Sequence, residues 1–568
     1  MIRSAVQVSK SEVIVRGGIV STQHPLASEA GARILQAGGN AVDAAVAATA
    51  AVNVVEPMMS GIGGGGMMMV HDPRTGRDTA IDFLPRVPNA ARPDMFALEP
   101  SRPGVNMYNW PAVRNEENFI GHRAVGIPGT IAGLCAAHAR WGKLSLAAVL
   151  EPAIEFAEEG YNVDWYIAAV IGGTARNLRR FEETAAIFLP DGLPPASPLR
   201  VYMPTGKLRQ PDLAATLKRI AVNGPDEFYR GETARRIVAE MERHEGLITA
   251  DDMAGYRAGV FDETLTATYR GHTLSTIPLP CGSNTVIETL NILENFDVRG
   301  IGRDSAEGLS LMAQAQSLAF QDRFAYLADP NEMPIPAHAL LAKDYAAERA
   351  EGVRLADFAG ALPPGNPREK GVVLADNPPD RSCTTHLGVV DKDGMMVSLT
   401  NTIGDLWGSY VVPKGTGVVL NGAMAWFNPV PGHINSVAPG KMPLSAISAM
   451  LVHKEGKPYI TIGAPGARKV MTAVLQSLVN VIDHKMTLQD AIAAPRVHCE
   501  KDEILADTRL GEDRLQDLRD MGFGVQPLEE TFLSSNFARP VGALIDGEGK
   551  VHSGVDVLRP ATAIGVPA

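Results

Sequence analysis

Apolar and small residues recur at helical spacing from Ser28 to Gln36 and stop at Gly38-Gly39. Asn40 then stands where it can cap an Ala-rich helix, with Asp43 three residues on, and two tightly packed helices are predicted. The second, Ala41 to Val55, carries Asp43 and Asn53. It is shorter than the roughly 20 apolar residues that span a bilayer and reads as a buried helix. The glycine-rich run Gly61-Ile62-Gly63-Gly64-Gly65-Gly66 leads into Met67 to His71, a short apolar stretch that reads as a strand. Small residues there allow close backbone approach.

From about Ser145 to Ala356 helical periodicity dominates, as in Glu232 to Arg243 and Ser305 to Leu327, and this half reads mainly as scaffold. Near Leu362 the texture changes. Pro363, Pro364, Pro367, Pro378 and Pro379 sit among Gly, Asn and Asp, a composition that forbids helix and central strand alike. The pattern then turns to β. Leu387 to Val390 and Met395 to Thr400 flank the turn Asp391-Lys392-Asp393-Gly394, a hairpin signal. The same grammar recurs in Ala449 to His453 with Tyr459 to Gly463, and in Gly542 to Ile545 with Val551 to Gly554. An antiparallel sheet is predicted, with helices such as Lys469 to His484 packed on it. No internal repeat of fixed period is present.

The balance of 45% hydrophobic and 20% charged residues over 568 positions is that of a chain able to bury a large core. A net charge of -12, without runs of like charge, makes nucleic acid an unexpected partner. Cys135, Cys281, Cys383 and Cys499 form no CxxC pair, which argues against a disulfide framework or zinc knuckle and for a reducing compartment, the cytoplasm. Met1 to Arg16 offers no apolar core of a secretory signal, and no membrane partner is expected. His24, His71 and His453 are isolated in sequence and no HExxH occurs, so neither metal nor cofactor is expected.

Thr384-Thr385-His386 begins the first hairpin directly behind the Pro-rich segment. By composition alone, a Thr-Thr pair there is ordinary β-propensity. Cleavage of the bond between Cys383 and Thr384 would instead put a free α-amine beside the Thr384 hydroxyl as its base, the arrangement of an N-terminal nucleophile. Ordered segments along nearly the whole chain favour the second reading. His24-Pro25-Leu26-Ala27, Ala37-Gly38-Gly39-Asn40-Ala41, Gly126-Ile127-Pro128-Gly129-Thr130, Gly224-Pro225-Asp226-Glu227-Phe228-Tyr229 and Gly246-Leu247-Ile248-Thr249 resemble γ-glutamyltransferases.

That resemblance implies an α+β fold, the four-layer αββα sandwich of the N-terminal-nucleophile hydrolases. It also implies a large chain 1–383, ending in the Pro-rich segment 362–383 as a mobile cover, and a small chain 384–568. The two would form one intertwined heterodimer. It puts the nucleophile at Thr384, a supporting hydroxyl at Thr402, acyl-site serines at Ser445 and at the position of Ala446, and the oxyanion hole on the backbone of Gly466 and Ala467. His386 is expected to pack rather than react. The implied substrate is a small-molecule amide, with water or an amine as acceptor.

Three amino-acid-recognition positions depart from the family pattern. Leu84 stands where the glutamyl-binding arginine is expected, with Arg86 two residues away; Gly404 replaces an asparagine; Trp426 replaces the aspartate that pairs with an α-ammonium group. Buried charges without partners cost several kcal/mol, so a more apolar acyl pocket is expected, floored by Trp426 and Phe427. Cephalosporin (glutaryl) acylases and oxamate amidohydrolases resemble this pattern more than a true γ-glutamyltransferase does. Two other readings are weighed. Gly61 to Gly66 fits GxGxxG, but a helical stretch precedes it and a strand follows, the reverse of a dinucleotide site. A non-catalytic family member would stay uncut.

Overall fold

Alternate residues of the Gly65–Asp72 strand face opposite layers. Met67 and Met69 join Ile19, Val390 and Met396 against Leu451, Ala543 and Val551 of a second sheet. Met68 and Val70 face the other way, packing with Leu387, Val389, Val397 and Leu399 on Ala44, Ala47 and Ala48 of the Ala41–Val55 helix. Burial on both faces explains why these strands read as continuous apolar runs rather than alternating ones.

The computed structural model of the intact chain describes residues 8–102, 110–195, 206–332, 334–367, 383–534 and 536–568. Two seven-stranded antiparallel sheets form its centre. One runs Ile14–Val15, Val551–Val555, Val541–Ile545, Lys457–Gly463, Met450–Lys454, His272–Thr276, Leu265–Tyr269. The other runs Thr562–Pro567, Gly17–Thr22, Cys383–Val390, Met396–Gly404, Gly65–Asp72, Arg77–Asp82, Gly259–Phe261. Helices Gly282–Leu293, Ala306–Tyr326 and Lys469–Ile482 cover the outer face of the first sheet through Val286, Leu318 and Val474 against Val452 and Ile462. The αββα sandwich is therefore the fold.

The three predicted hairpins are all present. So is the helix pair: Pro25–Gln36 is followed by Ala41–Val55, where Asn40 and Asp43 form a capping box and every helical residue is buried. Among the described residues no helix is long and apolar enough to cross a membrane. Reading the middle of the chain as helical scaffold missed Gly259–Phe261, Leu265–Tyr269 and His272–Thr276, which complete the edges of both sheets. The first two are half exposed and the third, though buried, is mostly polar (His-Thr-Leu-Ser-Thr), so no apolar run marks them. Residues 368–382 of the Pro-rich segment, and with them the expected cover, lie outside the described residues.

The glycine run serves sheet packing. A Cβ on Gly64 would come within 2.2 Å of the Thr402 carbonyl oxygen, and one on Gly66 within 2.0 Å of that of Thr400. The segment lies flush against the strand that carries Thr402, with no room for a phosphate between them, which removes the dinucleotide reading. Asn401 Nδ2 donates to Gly65 O and Thr130 Oγ1, and Asn421 Nδ2 to Gly63 O and Gly126 O, pinning the run from both ends.

Candidate active site

Thr384 lies one residue into the Cys383–Val390 strand, in the centre of its sheet. Cys383 pairs with Gly404 but Thr385 with Asn401, so the partner strand carries one extra residue opposite Thr384. Such a bulge re-aims side chains, and here the two threonine hydroxyls meet. Thr384 Oγ1 is 2.6 Å from the Cys383 carbonyl oxygen and 3.2 Å from Thr402 Oγ1. Thr402 Oγ1 donates to the same carbonyl at 2.8 Å and accepts from the Gly404 N–H at 3.0 Å. The carbonyl preceding Thr384 is thus polarised by one hydroxyl and approached by the other. Both threonines are buried, where such hydrogen bonds are strongest.

Gly404 makes this possible with a φ of +103°, a conformation that suits glycine. An asparagine there would be strained, and its Cβ would sit 3.3 Å from Gly422. The Cys383 thiol is pushed well up by burial and by the neighbouring Asp405 carboxylate, 3.9 Å from its Sγ, so it is no competing nucleophile.

Cys383 opens onto a cavity of about 770 Å³ whose wall includes Gly466, Ala467, Asp405, Tyr410 and Arg559. Gly466 and Ala467 have consecutive positive φ values of +134° and +54° on the wall of this cavity. A Cβ at Gly466 would strike Ala538 at 2.5 Å, whereas Ala467 carries its methyl group in the αL region.

Ser445 and Ala446, where the acyl site is expected, are held by groups that sequence patterns did not signal. Ser445 Oγ accepts from the Ile447 N–H. Its carbonyl accepts from Arg323, which also reaches Cys281 O. Arg323 lies in the Ala306–Tyr326 helix, amid periodicity that reads as plain scaffold, and only its 1% exposure marks it as special. Ala446 packs by its carbonyl against Gly282.

Leu84 and Trp426 come together in one buried apolar cluster with Ile447, Ala423 and Met442. One expectation needs correction. Phe427 turns away from Trp426 into a separate cluster with Val87, Phe96 and Met424, because the Ala423–Trp426 turn sends successive side chains in different directions. The guanidinium of Arg86, two residues from Leu84, pairs with buried Asp82 and donates to Leu84 O.

His386 is wholly buried, with Nδ1 2.8 Å from Thr400 Oγ1 and Gly463 pressed on its ring. Burial pushes its pKa down to about 3. It is neutral in the folded state, where the unfolded chain would bind a proton below about 6.5. Stability from this group is full above pH 6.5 and is lost as pH falls toward 3. Between pH 6.5 and 5 the loss is about 2 kcal/mol. Urea denaturation of a Thr384→Ala chain with and without His386→Asn should show that pH dependence only where the histidine is present.

Comparison with known proteins places these features in a family. Residues 27–556 match the profile described as Gamma-glutamyltranspeptidase. An Acylase ACY 1 proenzyme from Pseudomonas sp. (strain V22) is 39% identical over 484 residues, 85% of this chain and 82% of that protein. The Glutathione hydrolase proenzyme of Bacillus subtilis (strain 168) is 35% identical over 565 residues, 97% and 92% of the two chains. Among solved structures, a cephalosporin acylase from Bacillus halodurans superposes with a TM-score of 0.86 at 26% identity, covering 100% of this chain and 99% of that one.

Proposed function

The chain belongs to the gamma-glutamyltranspeptidase family, and from that premise we propose that it cuts itself between Cys383 and Thr384 and then hydrolyses amides whose acyl group is not an α-amino acid. The observation that carries the first part is the pair of threonine hydroxyls on one buried carbonyl. In self-cleavage the Thr384 oxygen bonds to the Cys383 carbonyl carbon and the C–N bond breaks. The released α-amine takes the hydroxyl proton. Water then opens the ester, returning the Thr384 hydroxyl and leaving a carboxylate on Cys383.

The same chemistry runs on an external amide. The α-amine takes the Thr384 proton, the hydroxyl oxygen attacks, and the Gly466 and Ala467 N–H groups stabilise the oxyanion. The proton passes to the leaving amine, and water or another amine takes the acyl group. The cut chains 1–383 and 384–568 would stay joined as a heterodimer. Gly17–Thr22 and Gly65–Asp72 flank the pair of strands that begins at Thr384, so separation would tear the sheet apart.

The acyl preference follows from Leu84 and Trp426. Neither side chain of that apolar cluster can pair with an α-carboxylate or α-ammonium group, the neighbouring Arg86 is already paired with Asp82, and unpaired buried charge costs on the order of 3 kcal/mol or more. A pentanoyl anilide, which carries neither charge, should therefore exceed the γ-glutamyl anilide in kcat/KM by at least about 10²-fold. Leu84→Arg with Trp426→Asp should raise γ-glutamyl turnover at least about tenfold. A wild-type enzyme that prefers the γ-glutamyl anilide would replace this reading with that of a glutathione hydrolase.

A further inference from the structure

Three side chains that are remote in sequence converge where the two sheets face each other. His71 and Asp78 are register partners on the Gly65–Asp72 and Arg77–Asp82 strands, while His453 belongs to Met450–Lys454 of the opposite sheet. Asp78 Oδ1 is 2.8 Å from His71 Nδ1, and Asp78 Oδ2 is 2.7 Å from His453 Nε2. The two imidazole centroids are 5.0 Å apart. All three side chains are between 5% and 10% exposed. The isolation of His71 and His453 in sequence is thus undone by the fold.

We propose that His71, Asp78 and His453 form a Zn²⁺ site that clips the two sheets together. Two imidazole nitrogens and a carboxylate are a donor set that suits zinc. Tetrahedral zinc with bonds of about 2.0–2.1 Å needs donor atoms about 3.3 Å apart. The three donor atoms already lie within 4.8 Å of one another, so binding asks the hydrogen-bonded pairs to open by about half an ångström and the wider separations to close by up to about 1.5 Å. On binding, the proton on each bridging nitrogen passes to the other nitrogen of its ring, and both imidazoles stay neutral. The exposed edge of the cluster leaves the fourth position to water.

The local charge fits a cation. Asp78 is the one carboxylate of the group, and each of its two oxygens faces an imidazole nitrogen. The neighbouring Lys454 turns its ammonium over the Tyr459 ring. A second group, His122, Glu240 and His244, lacks this character, because Arg243 occupies the other Glu240 oxygen and His244 is exposed. The proposed site is also separate from the active site. Met396 pairs with His71 and Thr402 with Gly65, six residues along the strand and about 20 Å away.

The test is calorimetric titration of the EDTA-stripped, dialysed protein with ZnCl₂, with Co²⁺ absorption as a second readout. One Zn²⁺ per molecule should bind and raise the thermal midpoint, and Co²⁺ should give the visible bands of a tetrahedral site. His453→Gln and His71→Gln each keep an N–H for Asp78 but remove a metal donor. Each should weaken zinc binding at least tenfold while self-cleavage, the sign of correct folding, is unchanged. Absence of one-to-one binding in the wild type, or binding by either variant as tight as the wild type's, would overturn the site and leave a His-Asp-His hydrogen-bond network.

Discussion

Thr384→Ala leaves one uncut 60.4 kDa chain without measurable amide hydrolysis. The methyl group removes the hydroxyl that adjoins the Cys383 carbonyl, and without cleavage no α-amine exists to act as base. Folding should be intact, because among the described residues the Thr384 hydroxyl bonds only to Cys383 O and Thr402. Thr384→Ser should restore cutting, since the hydroxyl is what the reaction uses. Denaturing electrophoresis of fresh and aged protein, followed by an anilide assay, checks both variants. A cut chain from the alanine variant would show that another group attacks.

Thr402→Val slows self-cleavage by about 10²–10³-fold, the cost of one oxyanion-type donor. The valine keeps the shape of the side chain but loses the 2.8 Å hydrogen bond to Cys383 O. It also leaves the Gly404 N–H without its acceptor, which should lower stability by about 1–3 kcal/mol. Thr402→Ser retains both contacts and should process near the wild-type rate. The measurement is a time course of the uncut fraction after rapid purification. Equal rates for valine and threonine would mean that the second hydroxyl plays no part.

Much of the scaffold was legible because it rests on local patterns. Asn40 and Asp43 cap a helix wherever that helix packs, and the three hairpins announce their turns. The pairing of Thr384 with Thr402 came from family resemblance, and no spacing rule reveals that a bulge aligns them. Arg323, Asn401 and Asn421 were not legible, since each acts by tertiary contacts with carbonyls remote in sequence. The same limit hid the meeting of His71 with His453 and sent Phe427 to the wrong cluster: strand periodicity gives a face, but not which sheet or turn lies opposite. Leu84 and Trp426 were found as departures from a pattern, and packing then joined them in one cluster.

Denaturing intact-mass analysis of the purified wild-type protein, with N-terminal sequencing of each species, probes self-cleavage most directly. Cutting at Cys383–Thr384 yields two chains, the smaller beginning Thr-Thr-His and ending at Ala568. A single full-length mass in both fresh and aged samples, or a new N-terminus at any other residue, would contradict Thr384 as the nucleophile.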